Sequence, residues 1–316
     1  NLSTNGKQVA YVHKTEAVLV SDLALAGGSP SLASTTVKPG STGETVQLTQ
    51  ARFVSPPDAP CELLVLASTR ALFVYSADGK HCLHTTPLVT DTSAANFFRG
   101  IAACKGGPKG YFLFCGTQSG EILQLPLSGT TPVFGSYSML KELSAGVCDM
   151  ASSSSNQLGL LAVSSSGSGL DALNAINVFT VSEEGTCTAS ASFTSEDMSI
   201  VPAVRLLERF LLAATSSGHV RIYDLTSNSL TAVICAHARW INALELHPSG
   251  NGTFATASED TYVALWKLDT GTGQVKHAAH HQAVDSTLTG VCFVGGASRE
   301  TIASTAYDVD AILTFD

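Results

Sequence analysis

A short apolar strand that ends near an aromatic or large aliphatic side chain recurs seven times along this chain. The copies read AVLV, LFVY, EILQL, INVF, HVRIY, YVALW and AILTF, and they end at Val20, Tyr75, Leu125, Phe179, Tyr223, Trp266 and Phe315. Successive ends lie between 43 and 55 residues apart. A repeat of this length built from strands is typical of propellers, because each unit can bury its apolar faces only against a neighbouring copy.

Two further apolar strands precede most of these copies. The nearer one forms a hairpin with the repeated strand, as in RFLLAATSSGHVRIY and GTFATASEDTYVALW. Another strand lies ahead of the hairpin, as in QARFV, RGIAA, CDMAS, PAVRL, INALEL and TGVCFV. The sequence therefore predicts an all-β fold, a single domain over residues 1–316 with seven blades of four antiparallel strands. An antiparallel sandwich or barrel is the alternative.

Composition limits the partners of such a chain. With 44% hydrophobic residues it can bury a core, and its formal net charge of -9 disfavours nucleic acid and anionic lipid. No window reaches about 18 consecutive apolar residues, so we expect no membrane insertion. The serine- and glycine-rich stretches 27–43, 152–155 and 164–169 read as loops.

The cysteines and the first residue bear on where the protein works. The 8 cysteines include no CxxC pair, and most lie in apolar runs. Reduced thiols and a cytoplasmic location follow, since a disulfide scaffold packs its cysteines into a shorter chain. The sequence begins at Asn1 without a methionine or a signal-peptide pattern, which we interpret as a shortened chain.

One unit, residues 234–268, carries a distinctive polar set. His237 precedes its first strand, Thr256 lies in the second, Asp260 occupies the turn and Trp266 ends the third. This unit resembles a WD repeat, and the resemblance implies a WD40-type propeller in which these four side chains form a hydrogen-bonded structural tetrad. Their donors and acceptors can satisfy one another. A catalytic relay of the same residues is the alternative, but it needs an exposed nucleophile and oxyanion donors.

Other units lack this polar set. Thr69, Ser119 and Ser217 stand where the complete unit has its aspartate. We expect their blades to depend on packing more than on polar networks.

Several segments resemble a narrower family within the WD-repeat proteins. They are residues 99–103, 114–126, 236–246, 258–268 and 307–315, and they are similar to WD repeat-containing protein 54. The resemblance implies a eukaryotic, intracellular signalling adaptor with a link to cilia and no enzyme activity. It also implies that a segment upstream of Asn1 supplies the outer strand of the last blade.

Other motifs give no catalytic, cofactor or metal site. The glycine-rich stretch 269–276 lacks the spacing of a phosphate-binding loop. Two groups of histidines lack carboxylate or cysteine partners at ligand spacing; they are His81 with His84, and His277 with His280 and His281. We interpret all of them as loop or surface residues.

Partner-binding residues of propellers usually lie on the face where the first strands start and the hairpins turn. On that face we expect Phe98, Arg99, Arg239, Trp240, Tyr262 and Tyr307. Tryptophan, tyrosine and arginine are common anchors of protein interfaces. Alternatively, Phe98 and Trp240 pack between neighbouring blades. The two arginines favour an acidic or phosphorylated partner segment.

These observations predict a non-catalytic adaptor that binds other proteins or peptide segments, with oligomerisation left open. One alternative is a structural subunit of a ciliary or microtubule-associated assembly. Another is a propeller enzyme or small-molecule sensor that uses the central channel. The first strands offer Arg99, Arg205 and Glu245 for that purpose, among mainly apolar residues.

Overall fold

The computed structural model describes residues 2–21, 33–39, 46–55, 61–88, 96–106, 110–129, 131–153, 159–167, 174–194, 197, 199–295, 301–309 and 311–315. Within these ranges the chain forms 28 strands in seven antiparallel sheets. We refer to the sheets as blades 1 to 7 in chain order.

Blades 1 to 3 occupy the first part of the chain. Blade 1 contains β1 (Leu2–Thr4), β2 (Gln8–His13), β3 (Glu16–Ser21) and β4 (Ser34–Val37). Blade 2 contains β5 (Leu48–Val54), β6 (Leu63–Ser68), β7 (Ala71–Ser76) and β8 (Cys82–Pro87). Blade 3 contains β9 (Phe98–Lys105), β10 (Gly110–Thr117) and β11 (Glu121–Ser128), and β11 pairs with both β12 (Val133–Phe134) and β13 (Ser138–Glu142).

The remaining blades follow the same order. Blade 4 contains β14 (Gly146–Ser153), β15 (Gly159–Ser166), β16 (Ala175–Val181) and β17 (Cys187–Thr194). Blade 5 contains β18 (Ala203–Leu207), β19 (Phe210–Ala214), β20 (His219–Asp224) and β21 (Ser229–Cys235). Blade 6 contains β22 (Ile241–Leu246), β23 (Thr253–Ser258), β24 (Tyr262–Leu268) and β25 (Val275–Gln282). The described part of blade 7 contains β26 (Leu288–Val294), β27 (Thr301–Ala306) and β28 (Ile312–Phe315).

The first strands of the seven blades form a closed ring. Each contacts the next in the order β1, β5, β9, β14, β18, β22 and β26, and β26 contacts β1 again. All seven recurring strands found in the sequence are the third strands of their blades. The prediction of an all-β, seven-bladed propeller is therefore confirmed.

Burial follows the position of a strand within its blade. Every residue of the second strands β6, β19, β23 and β27 is buried, whereas the outer strands β17 and β25 alternate between exposed and half-buried residues. The second strands are buried without alternation because neighbouring blades cover both of their faces. The apolar clusters accordingly lie between adjacent blades; Phe210, Phe254 and Trp266 share one between blades 5 and 6.

Three stretches read as loops contain strand residues. Ser152 and Ser153 end β14, residues 164–166 end β15, and residues 34–37 form β4. Residues 27–32, 40–43, 154–155 and 168–169 of these stretches lie outside the described ranges. Part of the loop prediction is therefore wrong. The reason is visible at Ser164, which is fully buried and whose hydroxyl accepts a hydrogen bond from the backbone N–H of Asp149 at 3.1 Å.

The first strands bend where they enter the ring. In blades 2, 3, 4, 6 and 7 the pairing of the first strand with the second shifts by one residue near the start of the first strand. The extra residues are Thr49, Gly100, Cys148, Asn242 and Thr289. Such β-bulges redirect side chains at the rims of closed sheets, and here they surround one end of the central channel.

Candidate functional site

Hydrogen bonds join the four residues of the polar set in blade 6. His237 Nδ1 lies 3.1 and 3.0 Å from the two carboxylate oxygens of Asp260, and His237 Nε2 lies 2.8 Å from Thr256 Oγ1. The indole N–H of Trp266 donates to the same Thr256 oxygen at 3.1 Å. Every donor in this series of hydrogen bonds has an acceptor if His237 is neutral, donates from Nδ1 to Asp260 and accepts the Thr256 hydroxyl proton at Nε2.

The environment sets the charge states of this pair. Burial lowers the pKa of His237 below its ordinary value, although the carboxylate of Asp260 acts in the opposite direction. Burial opposes ionisation of Asp260, but the backbone N–H groups of Ala238 and Tyr262, together with His237, hold the pKa of Asp260 below its usual range. A neutral imidazole against an ionised carboxylate is therefore the stable arrangement near pH 7.

Blades without the full set carry smaller polar networks at the equivalent turn. In blade 5, Ser217 Oγ lies 3.0 Å from Thr215 Oγ1 and 2.9 Å from His219 Nδ1. In blade 3, Thr117 Oγ1 lies 2.9 Å from Ser119 Oγ. Hydroxyl groups thus form hydrogen bonds within the hairpin turn where the aspartate is missing. Blades 3 and 5 therefore depend on polar contacts more than the sequence predicts.

Four loops lie side by side on the face where the first strands of blades 6 and 7 start. We call residues 238–240, 259–261, 283–287 and 307–309 the blade 6–7 loops. Backbone hydrogen bonds connect them: Glu259 N donates to Trp240 O at 3.0 Å, Ala283 N to Thr261 O at 2.9 Å and Tyr307 N to Thr287 O at 2.8 Å. The loops therefore form one continuous surface with a fixed backbone.

Large side chains project from this surface. Tyr307 is 75% exposed, Val284 69% and Val309 39%, and Arg239 is also exposed. Trp240 and Tyr262 are half-buried. The sequence analysis missed the two valines; the available signal was an aliphatic residue in the middle of a polar turn.

Two of the predicted partner-binding residues lie elsewhere. Phe98 is fully buried in the apolar cluster between blades 2 and 3, beside Ile101 and Leu125. Of the two alternatives stated for Phe98, the structure therefore shows packing between neighbouring blades, because the first residue of β9 lies against blade 2. Arg99 is half-buried and lines the central channel instead of the outer face.

An ion network crosses the middle of the channel. The guanidinium of Arg205 on β18 donates to Asp149 Oδ2 on β14 and to Glu245 Oε2 on β22, each at 2.8 Å. Arg52 on β5 donates to the backbone carbonyls of Ile101 and Met150 at 3.1 and 3.0 Å, and its guanidinium lies 3.9 Å from Asp149 Oδ1. Blades 2 to 6 are thus connected across the axis, blade 3 through the backbone carbonyl of Ile101.

The network is internally balanced. Burial lowers the pKa of Arg205, but the carboxylates of Glu245 and Asp149 outweigh that effect and raise it. Burial alone would raise the pKa of Glu245, and the guanidinium of Arg205 brings it below the ordinary value. Two cations therefore face two carboxylates. The sequence analysis named Arg205 and Glu245 but not Arg52 or Asp149.

Two cavities lie on either side of this network. The entrance cavity, about 140 Å³, opens where the first strands start and is bordered by Thr49, Gln50, Arg99, Cys148 and Asn242. The exit cavity, about 260 Å³, lies where these strands end and is bordered by residues such as Ser55, Ala103 and Ser152. Arg52, Arg205 and Glu245 border both cavities, so the network forms the partition between them.

Within the described ranges, no group of three or more histidine, cysteine or acidic side chains is placed to hold a metal ion. The same ranges contain no helix with the length and apolar character needed to cross a bilayer.

The closed ring of seven blades and the hydrogen-bonded set in blade 6 define a WD-repeat β-propeller. The chain belongs to the WDR54 family, whose model matches residues 3–316. It is 32% identical to WD repeat domain 54 of Rattus norvegicus over 276 residues, covering 80% of this chain and 74% of that protein. It is 30% identical to WD repeat-containing protein 54 of Homo sapiens with the same coverage.

A solved structure shares the fold. A chain in the crystal structure of the mitotic checkpoint complex superposes with a TM-score of 0.69 at 13% identity, covering 97% of this chain and 86% of that one. The identification of the family from the sequence is confirmed.

Proposed function

We propose that this protein is a non-catalytic adaptor whose blade 6–7 loops bind a segment of another protein. The observation that carries the proposal is the exposure of Tyr307, Val284 and Val309 on one continuous surface. Apolar side chains grouped on a rigid surface are typical of interaction sites, and aromatic residues with arginine are frequent anchors there. Arg239, Trp240 and Tyr262 complete the proposed surface.

The family supports this assignment. WD-repeat proteins are generally scaffolds for protein interactions, and the similar solved chain comes from a multiprotein complex. The backbone hydrogen bonds between the loops mean that little order has to be created on binding, which reduces the entropic cost of association.

The chemistry of blade 6 supports a role without catalysis. A relay of His237, Asp260 and Thr256 would need a hydroxyl that a substrate can reach. Thr256 is fully buried and already bonded to His237 and Trp266. A buried hydroxyl with two neighbours holds a blade together but does not attack a substrate.

We propose a cytoplasmic location, in a signalling or cilium-associated complex. All eight cysteines are free thiols, and Cys115 and Cys292 are buried, as expected in a reducing compartment. Imaging of the tagged protein in ciliated cells tests this proposal. A signal confined to the axoneme would favour a structural subunit over a mobile adaptor.

The binding surface is tested with a matched pair of double variants. Tyr307→Ala with Val284→Ser removes apolar area from the blade 6–7 loops. Leu230→Ser with Val233→Ser removes exposed apolar area from β21 on the outer rim, where these residues are 49% and 50% exposed. We expect proximity labelling in native cells to lose a defined set of partners with the first pair only, at unchanged melting temperature. If the unmodified chain and both double variants label the same partners equally, the proposal is contradicted.

A further inference from the structure

We infer that the entrance cavity of the central channel is a binding site for a single anionic group, a carboxylate or a phosphate. This site is separate from the blade 6–7 loops, and it stands independently of the adaptor role proposed above. Three features of the described residues support it: an excess of positive charge, an arginine without a partner, and neutral groups fixed around the cavity.

The charges around the entrance cavity do not cancel. Among the residues that border it, the cations are Arg52, Arg99 and Arg205 and the anions are Asp149 and Glu245. One positive charge is therefore left over, in a chain whose formal net charge is -9. Walls of low dielectric constant concentrate the field of such a charge inside a cleft, so this cavity attracts anions although the molecule as a whole repels them.

The excess charge belongs to Arg99. Arg205 takes up the carboxylates of Asp149 and Glu245, and no hydrogen bond or ion pair joins the Arg99 guanidinium to any residue that the structure describes. Arg99 is nevertheless half-buried. A cation that has lost part of its water without gaining a counter-ion is unfavourable, and an anion in the cavity supplies the missing partner.

Neutral groups of the cavity are held in place by the β-bulges. Gln50 Oε1 accepts a hydrogen bond from Gly100 N at 3.0 Å. This bond leaves the amide NH₂ of Gln50 to donate to a ligand. Thr49 Oγ1 donates to Phe98 O at 2.6 Å, and Asn242 Nδ2 donates to Leu288 O at 2.8 Å. These bonds join neighbouring blades, so the entrance is rigid before a ligand arrives. An anion site requires donors that are already in place, and the amides of Gln50 and Asn242 each keep an N–H that these bonds do not use, whereas the Thr49 hydroxyl proton is engaged.

The size of the cavity limits the ligand. Pockets for drug-sized molecules have volumes of roughly 300–1,000 Å³, whereas this cavity holds about 140 Å³. It accommodates the charged end of a ligand and not a whole cofactor. The anionic group is either a small free anion or the carboxylate of an acidic peptide that reaches in from the face.

The test compares two single variants with the unmodified chain. Arg99→Gln removes the arginine proposed to bind the anion, and Lys7→Gln removes an exposed cation in the turn between β1 and β2, outside both the cavity and the blade 6–7 loops. Each protein is titrated by calorimetry, at constant ionic strength, with sodium malonate, sodium phosphate, and a short peptide ending in a free glutamate or its amidated form. We expect at least one anionic probe to bind the unmodified chain and Lys7→Gln within twofold of each other. Arg99→Gln should bind the same probe at least tenfold more weakly.

The outcomes separate the two sources of the anion. Binding of malonate or phosphate identifies a free anion, and binding of the acidic peptide alone identifies a protein segment; both support the site. Failure of every probe at millimolar concentration, or equal binding by Arg99→Gln, would overturn it. Without added anion, Arg99→Gln should melt no lower than the unmodified chain, since it removes an uncompensated charge.

Two further variants complete the test. If Arg99→Gln does not fold, Gln50→Leu replaces it as the variant that should lose the anion. The variant with Tyr307→Ala and Val284→Ser should still bind the anion, so failure of this site is distinguishable from failure of the adaptor proposal.

Discussion

Thr256 is the side chain on which the polar set of blade 6 converges, so its substitution gives the sharpest test of that set. Thr256→Val keeps the shape of the side chain and removes only the hydroxyl. Two buried groups then lose their partner: the Trp266 indole N–H, at 3.1 Å, and His237 Nε2, at 2.8 Å. An unsatisfied buried polar group costs about 1–3 kcal/mol. For two such groups we therefore expect the free energy of unfolding to fall by roughly 2–6 kcal/mol.

The assay is urea denaturation followed by circular dichroism, with a control from the same strand. Thr253 lies at the other end of β23, and its hydroxyl accepts from the ammonium group of Lys267 at 3.2 Å. Lys267 is exposed and can turn to water. Thr253→Val should therefore cost less than about 1 kcal/mol, as one ordinary hydrogen bond does.

A double-mutant cycle identifies the cause of the loss. In Trp266→Phe the indole N–H no longer exists, so adding Thr256→Val should cost less than it does in the unmodified chain, by about 1 kcal/mol or more. If the two losses add without coupling, or if Thr256→Val is no worse than Thr253→Val, the hydrogen-bonded chain does not stabilise blade 6.

Three further predictions test the electrostatics and the packing. Because the pKa of His237 is lowered on folding, the unfolded chain is protonated first as the pH falls, and stability should decrease below about pH 6.5. The lowered pKa of Asp260 adds a further loss of stability below about pH 4. In a plot of urea midpoint against pH, His237→Gln should flatten the part that lies near pH 6. Arg205→Ala leaves the buried Asp149 and the half-buried Glu245 without the arginine that they share, and it should cost about 3–5 kcal/mol. Adding Glu245→Gln should recover part of this in the same denaturation assay. Phe98→Ala should lower the unfolding free energy by about 3–5 kcal/mol because it empties a fully buried site. A much smaller loss would contradict the close packing of Phe98 between blades 2 and 3.

The fold could be predicted because its signal is repeated seven times. Each third strand ends in a large side chain after a hairpin, as at Tyr75 and Tyr223, and the spacing between copies is a property of the sequence alone. The serine-rich strand ends could not be recognised in the same way. Ser164 looks like a loop residue in the sequence, but it is fully buried in β15 and its hydroxyl accepts a hydrogen bond from the backbone N–H of Asp149.

The channel was less accessible to sequence reasoning. Arg205 and Asp149 are 56 residues apart and lie on different blades, so no local pattern pairs them. A usable signal does exist: charged residues such as Arg52 and Asp149 interrupt first strands that are otherwise mostly buried. The sequence predicts that these strands are close together, but which side chains point to the axis depends on the bulges. For the same reason it assigned Arg99 both to the face and to the channel, and the structure places it in the channel.

The partition formed by Arg52, Asp149, Arg205 and Glu245 has a mechanical meaning for anything that approaches the axis. A polypeptide cannot thread through the disc, because passage would require both salt bridges of Arg205 to open at once. A ligand that enters from one face can only insert its end into the cavity on that face and leave by the same opening. The entrance and exit cavities therefore bind independently, and a ligand in one cannot be displaced by a ligand that enters the other.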